Sequence, residues 1–163
     1  MGIIPVLSSD FWDIRTDRII RNLREDEMLS EGLDDAQVQV YKGYPRLGTD
    51  KFAVFVYRAT SDDDEYSMGG DKAAFDSTWN VVCITRHAGE PNMLERYVST
   101  LSANVLRNLM RHKQQLDESG YTLWTTATPG SSDAATVRDD EDQAYDIEAI
   151  PYALWFELVL TGM

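Results

Sequence analysis

MLERYVSTLSANVLRNLMRHKQQL, residues 93–116, is the stretch around which the rest of the chain has to fold. Leu94, Val98, Leu101, Val105 and Leu109 fall on one stripe of a 3.6-residue helix, and Tyr97, Leu106 and Met110 widen it. Arg96, Thr100, Arg107 and Arg111 take the opposite side. Asn92 stands where an N-cap belongs, with Glu95 at the spacing of a capping box. Gly120 follows at a place where a left-handed residue can end the helix. A helix from Met93 to Leu116 is roughly 35 Å long. It needs an apolar wall, and strand-like runs lie on both sides of it in the sequence.

Upstream, a first helix is expected from Asp10 to Ser30, with Trp12, Ile19, Ile20 and Leu23 as its apolar stripe. Arg15, Arg18, Arg21 and Arg24 alternate with Asp13, Asp17, Glu25 and Asp26, the pattern of a solvated face with i,i+4 pairs. Gly32, Asp34 and Asp35 break it. Strands follow at Gln37–Tyr44 and Lys51–Ala59. In the second, Phe52, Val54 and Val56 point one way and Ala53, Phe55 and Tyr57 the other. Both of its faces are therefore apolar, which suits a central strand or one covered on both sides. Residues 61–76 read as a long acidic loop, Ser77–Arg86 as a third strand, and Tyr121–Ala127 as a fourth. A second acidic loop spans 129–146. Tyr152–Leu160 closes the chain as a strand, with Pro151 at its start, where a missing N–H is tolerated. The fold class is α+β: one domain over 1–163, a largely antiparallel sheet with two helices in the order α-β-β-β-α-β-β, and two long acidic loops.

Composition narrows the function classes. The net charge of −13 opposes tight binding to duplex DNA, where Lys and Arg must neutralise phosphates. It favours basic partners. A single cysteine, Cys83, excludes an internal disulfide and a cysteine-rich metal site. Met1–Leu7 lacks the basic segment of a signal peptide, and no apolar run approaches the ~20 residues of a membrane span.

Catalytic patterns are missing from the sequence. Nucleophilic catalysis needs a nucleophile, a nearby base and an orienting group. Cys83 and His87 are too far apart on a strand, and Cys83 reads as a small core thiol. His112, with Lys113 beside it, reads as a cation complementing a helix C-terminus. Asp62, Asp63, Asp64 and Glu65, and Asp139, Asp140, Glu141 and Asp142, offer oxygen ligands, but neither set has the spacing of a calcium loop. No phosphate-binding glycine loop is present. No catalytic, cofactor-binding or metal-binding residue is assigned, and the chain is expected not to be an enzyme. An enzyme would require the two acidic loops to converge on a pocket. Trp79, Trp124 and Trp155 read as core, and Trp12 as an open contact residue.

The order and lengths of these elements carry a resemblance. DIRTDRIIRNL (13–23) leads into VQVYKGYPR (38–46) and FAVFVY (52–57), then a loop and a strand, a helix opened by LERYV (94–98), and the closing run IPYALWFELVL (150–160). This resembles the tail terminator proteins of long-tailed bacteriophages and, more loosely, other small phage neck and tail-completion proteins, with a neck or head-completion protein of similar size as the runner-up role. The resemblance implies a homohexameric ring in the virion, at the junction of tail and neck and assembled in the host cytoplasm. Such a ring caps the head-proximal end of the tail tube, stops its growth and presents a surface to the neck. Its partners would be a second copy, the tail tube protein and a neck protein, with DNA only passing through the channel. In such a ring the eight acids of the two loops would meet the channel or a basic partner. Arg15, Arg18, Arg107 and Arg111 on the helices would be candidates for subunit contacts. The competing class is an acidic protein that mimics DNA, which would need its acids along one continuous face.

Overall fold

The computed structural model describes residues 11–34, 37–59, 64–67, 72–86, 91–116, 123–141 and 143–159. Its elements are α1 (Phe11–Arg24), β1 (Gln39–Lys42), β2 (Phe52–Arg58), β3 (Asp64–Ser67), β4 (Lys72–Arg86), α2 (Pro91–Arg111), β5 (Thr126–Pro129), β6 (Asp133–Arg138) and β7 (Ala144–Val159). The class is α+β, a mostly antiparallel sheet with two helices. The order α-β-β-β-α-β-β holds, with β3 and β6 added inside the stretches that read as acidic loops. β6 is exposed along its whole length and so lacks the apolar alternation by which a half-buried strand is recognised. β3 has only four residues, too few for alternation to register.

The sheet runs β1-β2-β4-β7-β5, with β3 pairing β4 and β6 pairing β7. Its spine is the antiparallel ladder that joins Lys72–Arg86 to Tyr145–Val159, roughly 50 Å long at 3.4 Å per residue. β2 and β3 lie end to end along one side of that spine, β5 and β6 along the other. Among the described residues only β1 pairs in parallel, with β2.

Pro151 lies inside β7, opposite Asn80, rather than at a strand start. Its carbonyl accepts a hydrogen bond from the Gly130 N–H at 2.6 Å. The N–H and C=O of a strand residue share one side, so the missing donor faces the seam where β7 changes partner from β6 to β5. Gly130 fits that seam because a Cβ there would stand 2.9 Å from the Pro151 ring.

The two helices cover one face of the sheet. Phe52, Val54, Val56, Trp79, Val81, Cys83, Ile150, Tyr152 and Leu154 meet Ile19, Ile20 and Leu23 of α1 and Val98, Leu101, Val105 and Leu109 of α2. The apolar stripe that opens the sequence reading is thus the one that seals the core. On the other face Ala53, Phe55, Val82, Ile84 and Tyr145 form a second cluster, flanked by Tyr41, Tyr57, Ile147 and Ala149. β2 is buried on both faces, as expected of an internal strand.

Helix ends differ from expectation for identifiable reasons. α2 begins at Pro91, whose missing N–H is harmless in the first turn, so Asn92 lies inside that turn rather than at the cap. The left-handed residue after α2 is Gln114 (φ 68°), and its N–H donates to the Trp124 carbonyl at 2.7 Å. Gly120 lies outside the described residues. α1 stops at Arg24, short of Ser30, because the next segment is held by side chains of α2. The Asn104 amide donates to the carbonyls of Leu29 (2.8 Å) and Glu31 (2.9 Å). The Asn108 amide donates to the Asn22 carbonyl (3.1 Å) and the Asp26 carboxylate (2.9 Å). The bond to the Asn22 carbonyl gives an end-of-helix acceptor the partner a continuing helix would otherwise supply, and the others hold the segment that follows.

Candidate functional site

The register of the spine places the two acidic stretches apart. Asp64 pairs with Asp76 on β4. Tyr145, just past the second acidic turn, pairs with Arg86, ten positions further along the strand and roughly 34 Å away at 3.4 Å per residue. Asp64 and Glu65 of β3 and the described acids of the 139–143 turn therefore stand toward different ends of the spine. Asp64 and Glu65 belong to β3. Asp62, Asp63 and Asp142 lie outside the described residues.

Within the 139–143 turn the acids divide by role. One oxygen of the Asp139 carboxylate accepts the backbone N–H groups of Gln143 (2.8 Å) and Glu141 (3.0 Å). The other lies 3.2 Å from the Tyr145 hydroxyl, which also reaches the Gly48 carbonyl at 3.0 Å. The Gln143 N–H is the main reason this carboxyl sits below the usual carboxylate range, with Arg86 adding a smaller attraction. Burial first, and then the hydrogen bond to the Asp139 carboxylate and its charge, raise the Tyr145 hydroxyl. Asp139 thus anchors the turn, while Asp140 and Glu141 are exposed. The sequence reading grouped these acids by charge alone and could not separate the anchor from its neighbours.

The strand before that turn carries a feature the sequence reading missed. The Asp139 N–H donates to the Gln143 carbonyl, so odd-numbered residues of β6 face β7. Ala134, Thr136 and Arg138 therefore turn their backbone N–H and C=O groups outward. Among the described residues no hydrogen bond reaches the outward backbone groups of Ala134 and Thr136. The signal that could have found β6 is local: the β-forming Thr136-Val137 pair between Pro129-Gly130 and Asp139-Asp140, both turn sequences.

The arginines proposed as subunit contacts are placed unevenly. Arg15 is fully buried, which corrects its reading as part of a solvated face and removes it from any subunit contact. Its guanidinium lies 3.7 Å from the Phe11 ring centre and donates to the Phe11 carbonyl at 3.2 Å. A stacked, hydrogen-bonded guanidinium is what makes such burial tolerable. Arg107 is exposed but engaged within its own chain, with the Glu31 carboxylate at 3.0 Å and the Met28 carbonyl at 2.7 Å. Arg18 is half-buried. Arg111 is exposed and lines an open groove of about 350 Å³ with Glu25, Asp26, Glu27 and His112.

The Cys83 thiol is buried and pushed up to about 12 by that burial, so it is inert as a nucleophile. His87 lies outside the described residues. His112 is not the expected cation: its Nδ1 accepts a hydrogen bond from the Gln115 amide at 2.9 Å, whose oxygen faces the Asn22 amide at 3.3 Å. Burial and Arg111 lower its pKa. Trp79 and Trp124 are core, donating to the Thr16 hydroxyl (2.8 Å) and the Leu109 carbonyl (3.2 Å). Trp12 packs at 6.1 Å from Trp79, with the Arg58 guanidinium 4.1 Å from its ring centre. Among the described residues no three His, Cys, Asp or Glu side chains come together as a metal site. No described helix is long and apolar enough to cross a membrane.

Compared with protein-family models and with curated proteins, the sequence has no significant match.

Proposed function

We propose that the chain is a structural virion protein of the tail terminator kind. It would form a homohexameric ring at the junction of tail and neck, assembled in the host cytoplasm, that caps the tail tube and offers a surface to a neck protein. The reading rests on the order of elements that makes the sequence similar to tail terminators. The single observation that supports it best is the closing strand. β7 is a 16-residue strand inside the sheet, with the acidic 139–141 turn before its first residue and an exposed strand beside it. A protein that works by capping needs margins for neighbours and distinct ends for partners, rather than side chains converging on one pocket.

The separation of the acidic stretches sharpens this proposal. If the spine lies across the ring, one stretch faces the channel and the other the outside. If it lies along the ring axis, one meets the tube and the other the neck. In either case only one stretch per subunit lines any single level of the channel. Carboxylates there repel phosphates and let DNA pass without sticking.

Native mass spectrometry with and without tail tubes tests the proposal. A sixfold species, free or formed only with tubes, is the expected result. A chain that stays monomeric and does not associate with tubes would overturn the terminator role and bring an acidic DNA mimic to the front.

A further inference from the structure

We infer that the open margin at β6 is a docking site for an extended, basic segment of a partner protein, which adds to the sheet as a further strand. The site follows from the backbone and holds whatever larger assembly the chain serves. Ala134 and Thr136 turn their N–H and C=O groups outward, with no hydrogen bond to them among the described residues. All of β6 is exposed. Natural sheets usually blunt such an edge with lysine, proline or a bulge. Here the middle of the strand is Ala134-Ala135-Thr136-Val137, with a charge only at each end, and its register with β7 is unbroken.

The flanking chemistry specifies the partner. Ala135 and Val137 continue the apolar face formed by Tyr145 and Ile147 of β7, and Val137 is 37% exposed. A strand laid beside them finds apolar contacts at every second residue. The opposite face carries Ala134 and Thr136, and behind these small residues stand Asp146 and Glu148. Beyond the end of β6 the exposed Asp140 and Glu141 add negative charge. Along 133–141 the described acids are Asp133, Asp139, Asp140 and Glu141 against the cation of Arg138. A segment alternating apolar and basic residues therefore matches both faces, whereas an acidic segment or a nucleic acid is repelled.

The test is fluorescence anisotropy with a short labelled peptide of alternating valine and lysine, against the same peptide with glutamate for lysine. The lysine peptide should bind the wild-type chain about tenfold or more tightly than the glutamate peptide. Thr136→Pro removes one outward donor without touching the backbone bonds to β7 or the net charge, and the hydroxyl bond to Asp146 that goes with it is lost equally in Thr136→Val. It should weaken the lysine peptide by about tenfold. Thr136→Val keeps the amide and should bind as wild type, which separates the backbone from the hydroxyl. Amide hydrogen exchange on the wild-type chain gives a readout free of mutation: the lysine peptide should slow Ala134 and Thr136 by about tenfold or more. A Thr136→Pro chain that binds the lysine peptide as tightly as wild type would reduce the effect to general charge attraction and overturn the site. So would a wild-type chain that binds neither peptide, or exchange at Ala134 and Thr136 that the peptide leaves unchanged.

Discussion

At the β1 margin of the sheet the chain covers itself, whereas at the β6 margin the described residues leave the strand uncovered. The Gly43 N–H donates to the Val56 carbonyl, which fixes the parity of β1 and turns the Val40 carbonyl away from β2. There Arg24 of α1 meets that carbonyl with two hydrogen bonds, at 2.7 and 3.1 Å. Beside it Lys42 is held by Asp17 at 2.9 Å and Asp13 at 3.4 Å, and Val40 itself is buried. At β6 no helix lies alongside, and the outward groups of Ala134 and Thr136 have no hydrogen-bond partner among the described residues. Edge strands invite pairing with other chains. A protein that closes one margin with its own side chains and leaves the other bare has a direction in which its sheet can be extended.

Five substitutions sharpen the contrast between the closed and the open side. The largest effect belongs to the helices over the sheet. Leu101→Ala removes a fully buried side chain of α2 and should cost about 3 kcal/mol in urea denaturation. Val137→Ala on the open strand should stay within about 0.5 kcal/mol, and an equal loss at both positions would erase the distinction. Next comes Asn104→Ala, which leaves the carbonyls of Leu29 and Glu31 without their donor. A loss of about 1–3 kcal/mol is expected. Arg24→Ala should cost about 1 kcal/mol. It should also make self-association rise with concentration in analytical ultracentrifugation, because it uncovers the β1 margin. The smallest effect is that of pH on His112. Its folded pKa is lowered, chiefly by burial and then by Arg111, so the unfolded chain binds the proton more readily. Its contribution is complete above the ordinary histidine value of 6.5 and declines as pH falls from there toward the folded pKa. Denaturation midpoints between neutral and mildly acidic pH should show this decline in the wild type and a flatter course in His112→Asn.

The helices and the buried strands were legible in the sequence because burial writes a period into it. The stripe Leu94–Leu109 marks α2, and the two-sided apolar run Phe52–Val56 marks an internal strand. What burial did not touch was not legible. β6 is exposed on both faces and shows no period, so its composition read as a loop. Helix ends were misjudged where distant side chains set them, as Asn104 and Asn108 do for the segment after α1. Arg15 reads as solvated because its contact with the Phe11 ring one turn earlier leaves no trace in the charge pattern. The acids of the 139–143 turn were found as a group, but the anchoring of Asp139 depends on Tyr145, which belongs to the next strand.

The most direct measurement is amide hydrogen exchange, read residue by residue, on the dilute protein. The account predicts alternation along β6. Ala134 and Thr136, which face outward, should exchange quickly, and Ala135 and Val137, which face β7, more slowly. Protection of Ala134 and Thr136 equal to that of their neighbours would mean that the β6 margin is already covered, and would contradict the account.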